Sequence, residues 1–167
     1  MADAKVLVVM GSDSDFPVME GCFKMLNKFG VGFKATVASA HRTPDKAMSL
    51  ARNAEAEGFK VIIAAAGLAA HLGGVLAANT ALPVIGVPCK GALAGVDALY
   101  ATVQMPTGIP VATVAIDGGS NAAILACQML ALSDSELMQK IKDYKASLAS
   151  SVDERDARLQ QKIAEMN

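Results

Sequence analysis

Between Val61 and Ser133 the chain carries only three formally charged side chains, Lys90, Asp97 and Asp117, and from Val61 to Cys89 it carries none. A stretch this long has to leave water, into a bilayer or a protein core. It is broken by Gly67, His71, Gly73, Gly74, Asn79, Thr80 and Pro83, and short β-like runs alternate in it with helical runs of small residues. A buried α/β core explains that pattern better than a membrane span, so no membrane partner is expected. With 53% hydrophobic and 19% charged residues the chain has the means to fold throughout, which excludes disorder for most of it. The 15 Lys and Arg against 16 Asp and Glu exclude the basic balance of a nucleic-acid binder. A length of 167 residues suits a single domain over 1–167, with a core over about 5–132 and a helical extension over about 134–167.

Val6–Met10, Ala35–Ala38, Val61–Ala66, Val84–Val87 and Val111–Ile116 are continuous apolar runs, the form taken by strands buried on both faces. Helical patterns lie between them. Val18, Cys22, Leu26 and Phe29 recur at spacings of four, four and three and end at Gly30, while Thr43-Pro44-Asp45 reads as N-cap, first-turn proline and first-turn acid of a helix ending by Gly58. An Ala-rich helix is expected over about 121–132, and Ser133 to Glu136 has capping-box spacing for another. The alternation of strand and helix predicts an α/β fold, a three-layer αβα sandwich around a parallel sheet.

Cys22, Cys89 and Cys127 lack metal or disulfide spacing and read as buried free thiols in a reducing compartment. No basic and apolar leader precedes the first strand, so a cytoplasmic location is expected. The helical segments at about 69–81 and 121–132 have no charged residue on any face. A sheet covers one face only, so both are expected to pack against other subunits of a homo-oligomer; the alternative is that the C-terminal helix covers one within the monomer.

In an open parallel sheet, ligands bind outside the carboxyl ends of the strands, which selects the loops to read. Gly11-Ser-Asp-Ser-Asp15 offers hydroxyls, carboxylates and helix-terminal N–H groups suited to phosphate and ribose, though Ser and Asp are also ordinary caps. His41-Arg42 sets a titratable imidazole beside a fixed guanidinium. His71 lies in an apolar, small-residue stretch and reads more weakly. Two histidines without clustered carboxylates or thiolates do not make a metal site. No nucleophile elbow occurs, and Cys89, after the fourth strand, reads as packing rather than nucleophile. From the residues alone the reading ends at a phosphorylated, ribosylated small molecule with His41 as proton carrier and Arg42 as anion clamp.

The strings GSDSD, SAHRTPDKA, AGLAAHLGG, LPVIGVP, GVDALYATVQMPTGIPVATVAI and NAAILACQML occur in order over about residues 5–145, and together they resemble the N5-carboxyaminoimidazole ribonucleotide mutase family of purine biosynthesis. The resemblance implies a flavodoxin-like fold, a homo-octamer, and conversion of N5-carboxyaminoimidazole ribonucleotide to 4-carboxy-5-aminoimidazole ribonucleotide without cofactors: no metal, ATP or biotin. It implies that His41 is catalytic, that Ser12, Ser14 and Asp15 hold phosphate and ribose, and that Ser39, Ala40 and Arg42 form a second wall. It further implies that Gly67, Ala69, Ala70, His71 and Leu72 form a loop closing over the imidazole. A separate synthetase chain would supply the unstable carbamate.

Two features depart from the family pattern. Gly73-Gly74 stands where a proline usually follows His-Leu, and Asp117-Gly-Gly-Ser120 is about two residues short and lacks a lysine. The short loop is a feature of related carboxylases that act on aminoimidazole ribonucleotide and carbon dioxide directly; those typically carry Ser-Asn where this chain has Ala70-His71. The mutase is the expected activity, with the direct carboxylase and a non-catalytic nucleotide-sensing module as alternatives.

Overall fold

The apolar runs of the sequence become the strands of one sheet in the computed structural model, which describes residues 4–166. Residues 1–3, on which the expectation of no leader partly rests, and Asn167, the last residue of the expected extension, lie outside the described residues. Strands β1 (Ala4–Met10), β2 (Gly32–Val37), β3 (Val61–Gly67), β4 (Val84–Cys89) and β5 (Ala112–Thr113) pair in parallel in the order β2-β1-β3-β4-β5.

Because successive strand residues face opposite ways, the central strands feed two cores. Val6, Val8 and Met10 of β1, with Val61 and Ile63 of β3, pack toward helices α1 (Phe16–Phe29), α5 (Gly119–Ala131) and α6 (Ser135–Ala164). Leu7 and Val9, with Ile62 and Ala64, pack toward α2 (Pro44–Asn53) and α3 (Leu72–Ala77), beside which lies α4 (Val96–Val103). Leu7, Ile62, Ile63 and Ile85 are fully buried, each contributing about 2 kcal/mol from removal of apolar surface from water. The result is the three-layer, flavodoxin-like α/β sandwich expected from the sequence.

Several local expectations change. β2 is an edge strand with Lys34, Ala35 and Val37 exposed, not a strand buried on both faces. β5, the other edge strand, is half-buried rather than buried on both faces, and it is two residues long, pairing Ala112 with Ile85 and Thr113 with Gly86. α2 ends at Asn53, five residues before Gly58, and α3 is a short helix within the 69–81 stretch. Thr43 occupies the N-cap position of α2 but makes no cap bond, because its hydroxyl is engaged with Ser39. α6 is capped by Asp134, whose Oδ1 accepts from the Leu137 N–H at 2.9 Å, rather than by Ser133.

α1 ends as its sequence foretold. Gly30 takes φ 73° and lets its N–H and that of Val31 close on Leu26 and Asn27. The charge-free α5 is flanked by α1 and by the first turns of α6, which dock through Leu137 and Ile141, so the C-terminal helix does cover it within the chain. Tyr144 adds an edge contact to Phe29, with centroids 5.5 Å apart. No helix is long and apolar enough to cross a membrane among the described residues.

Candidate active site

The strand order reverses between β1 and β3, and there the loops after β1, β2, β3 and β4 surround a cleft of about 650 Å3. This is the switch-point position for a ligand in an open α/β sheet. Ser12, Ser14, Asp15, Ser39, Ala40, His41, Arg42, Gly67, Ala69 and Leu72 line it, which brings together ten of the twelve residues singled out from the sequence. Ala70 is instead buried in the packing beneath its loop, and His71 stands at the rim, joined to the cleft through His41.

The first loop is held by its own side chains. Ser12 caps a single 3-10 turn over Asp13–Asp15: its Oγ accepts from the Ser14 N–H at 3.3 Å, and Asp15 Oδ2 accepts from the Ser12 N–H at 3.0 Å. Capping and ligand binding are therefore not competing readings of this loop, since the cap fixes a carboxylate at the cleft. Asp15 is 9% exposed, and its carboxyl is raised above the ordinary 3.8 by burial first. The N–H groups of Ser12 and Gly11 and the Cys89 thiol pull it down, while Asp13 pushes it up.

The second loop is tied by Ser39, whose Oγ accepts from the N–H groups of His41 at 3.3 Å and Arg42 at 3.1 Å. Thr43 Oγ1 accepts from the Ser39 N–H at 2.9 Å. This small knot, rather than a helix cap, is the reason for Ser and Thr at that spacing. It projects His41 and Arg42, and Arg42 Nη2 donates to the Gly11 carbonyl at 3.5 Å, which links the second loop to the first. A smaller cleft of about 320 Å3 continues past Arg42 toward Val37 and Thr43.

The third loop reaches the second. Leu68 takes φ 56°, a left-handed conformation costly for a branched side chain, and is 59% exposed. That turn carries His71 to the rim, where its Nδ1 lies 3.0 Å from Nε2 of His41 with the rings edge to face. One of these two nitrogens must carry the hydrogen and the other accept it, so the tautomers of the two rings are linked.

The sequence reading missed Gly11, Ala66, Leu68, Lys90 and Gly91, all of which line the cleft. Ala66 lies within β3, and two glycines, an alanine, a leucine and a lone lysine carry no chemical signal in a string of letters. Cys89 is buried, and burial, aided by Asp15 and Asp117, pushes its thiol up to about 12, so it is protonated at neutral pH and belongs to the packing. The short 117–120 loop closes back on the fourth: Asp117 Oδ1 accepts from the Lys90 N–H at 2.8 Å. Among the described residues no cluster of His, Cys, Asp and Glu could hold a metal ion.

A 2-1-3-4-5 parallel sheet with a cleft at its switch point defines a flavodoxin-like α/β protein, and the cleft is furnished with a carboxylate, a guanidinium and, at its rim, a histidine pair. The model of the AIR carboxylase family matches residues 5–151, and the chain belongs to that family. It is 50% identical over 158 residues to the N5-carboxyaminoimidazole ribonucleotide mutase of Thermotoga maritima, covering 94% of this chain and 92% of that one. It is 54% identical over 138 residues to the phosphoribosylaminoimidazole carboxylase of Candida glabrata, covering 82% of this chain but 24% of that larger protein. The crystal structure of Treponema denticola PurE superposes with a TM-score of 0.82 at 32% identity, over 92% of this chain and 97% of that one.

Proposed function

We propose that this chain is an N5-carboxyaminoimidazole ribonucleotide mutase of purine biosynthesis, forming 4-carboxy-5-aminoimidazole ribonucleotide. Similarity to proteins of that name extends over nearly the full length of both partners, which supports the mutase over the fungal carboxylase, of which this chain matches about a quarter. The observation that carries a mechanism is the His41–His71 pair at the cleft rim, 3.0 Å between facing nitrogens.

Protonated His41 delivers its proton to the carbamate nitrogen as the C–N bond to the carboxylate breaks, releasing carbon dioxide and the amine. The electron-rich C4 of the imidazole then bonds to the retained carbon dioxide, and neutral His41 removes the C4 proton, which restores the starting protonation state. His71 fixes the ring of His41 between the two transfers. The loop from Gly67 to Leu72 keeps carbon dioxide in and water out, while Arg42 with Ser12 and Ser14 receives the phosphate and Asp15 a ribose hydroxyl. No metal or other cofactor takes part in this scheme. The chain works in the cytoplasm as a homo-octamer, with a separate synthetase supplying the carbamate.

The test is product formation from N5-carboxyaminoimidazole ribonucleotide, beside a parallel assay with aminoimidazole ribonucleotide and low bicarbonate. Turnover of the first alone is expected. Turnover of the second alone would make the chain a direct carboxylase, and silence in both would leave a nucleotide-sensing module.

A further inference from the structure

We propose that Lys90 recognises the carboxylate of the substrate and that Asp117 is the residue that positions it, an assignment that rests on the mutase reading of the same cleft. The cleft crosses the carboxyl ends of four adjacent strands in the order β2, β1, β3, β4. At the usual strand spacing the outer two are about 14 Å apart. Each end carries one permanent cation: Arg42 in the loop after β2 and Lys90 in the loop after β4.

The Lys90 ammonium makes no hydrogen bond or ion pair with another described residue, while its main chain is clamped. Asp117 Oδ1 accepts from the Lys90 N–H at 2.8 Å, and the Asp117 N–H donates to the Pro88 carbonyl at 2.9 Å. Asp117 therefore uses its carboxylate to place the residue, not to pair with its ammonium. Holding that position costs a left-handed backbone at Asp117, φ 57°, a conformation that aspartate and asparagine tolerate better than most residues.

Two cations at opposite ends suit a ligand with two separated anionic groups. The Arg42 end also presents the Ser12 and Ser14 hydroxyls, a phosphate environment. The Lys90 end presents Gly67, Leu68 and Gly91 and no hydroxyl, so the ammonium is its polar anchor. A ribonucleotide whose base bears a carboxylate fills both ends, and the decarboxylated nucleotide fills only the phosphate end. Lys90 thereby favours substrate and product over the intermediate between them.

The experiment compares equilibrium titrations of 4-carboxy-5-aminoimidazole ribonucleotide and of 5-aminoimidazole ribonucleotide. For Lys90→Met, loss of a charge-assisted contact should weaken the carboxylated nucleotide about tenfold and the decarboxylated one by less than about twofold. Asp117→Gly, which keeps the left-handed backbone and removes the acceptor, should shift the affinity ratio in the same direction. Asp117→Asn, which keeps an acceptor oxygen, should restore it. Equal weakening of both nucleotides by Lys90→Met would make Lys90 a phosphate ligand, and no change in either would make it a solvent-facing lysine; both outcomes overturn the assignment. Wild-type protein that binds neither nucleotide would overturn the mutase reading and this assignment with it.

Discussion

His41 and Asp15 reach the same cleft, but their substitutions have opposite consequences. Replacing His41 by Asn keeps a hydrogen-bonding side chain at the rim and removes the proton carrier. Turnover should fall by about 100-fold to 10,000-fold while nucleotide affinity stays within about threefold, read by steady-state kinetics and by titration. Unchanged turnover would reject His41 as the acid and base. Asp15 is a stability question as well. Burial raises its carboxyl in the folded state, so between 3.8 and the raised value the folded chain binds more protons than the unfolded one. The stability it contributes is greatest below 3.8 and is lost as pH rises through that window. Asp15→Asn removes the buried charge while keeping an oxygen for the Ser12 N–H. Thermal melts should show it more stable than wild type at neutral pH, with the gap closing on acidification. A gap that widens toward acid would contradict this sign. Nucleotide binding by the same variant should weaken, which makes Asp15 a site where function is kept at a cost in stability.

The packing of α1 against α5 depends on places where a side chain is missing. A Cβ on Gly119 would lie 2.5 Å from the Val18 carbonyl oxygen, a main-chain atom that cannot swing aside. Gly119→Ala must push the two helices apart, and chemical denaturation should record a loss of about 1–3 kcal/mol. Gly30→Ala meets open space yet must hold φ 73°, so its cost of about 1 kcal/mol comes from conformation alone. Equal costs for the two would mean that the helices yield more easily than the geometry implies. The elements themselves were legible to differing degrees. β1, β3 and β4 were readable because strands buried on both faces are apolar without interruption. β2 began earlier than its apolar run because an edge strand can carry Lys34 on its open side, and β5 ended earlier than a run that is only half-buried, with Ala115 exposed, so that its apolar letters marked neither full burial nor pairing. The site loops followed from strand ends alone. The His41–His71 contact did not, since it joins residues 30 apart in sequence and exists only because β1 lies between β2 and β3.

At the scale of the whole molecule, the apolar surface is unevenly spent. Leu93, Val96, Tyr100 and Val103 recur on one side of α4 and its lead-in and are exposed, as are Leu148, Val152 and Leu159 along the far half of α6. In the proposed octamer such faces are where copies meet. Replacing Leu148, Val152 and Leu159 together by Gln should lower the mass found by light scattering and leave the near-ultraviolet spectrum of the core unchanged. An unaltered mass would place the contacts elsewhere. α6 also has a consequence for how the protein behaves at low concentration. Its 30 residues span about 45 Å, and only the first three turns or so rest on α1 and α5. Isolated helix in water is marginal, and here little tertiary packing offsets the entropy of ordering the distal turns. The helical signal per residue should therefore decline on dilution before the sheet responds, so that the free end of α6 serves as a gauge of assembly: nearly melted in a lone chain, rigid in company.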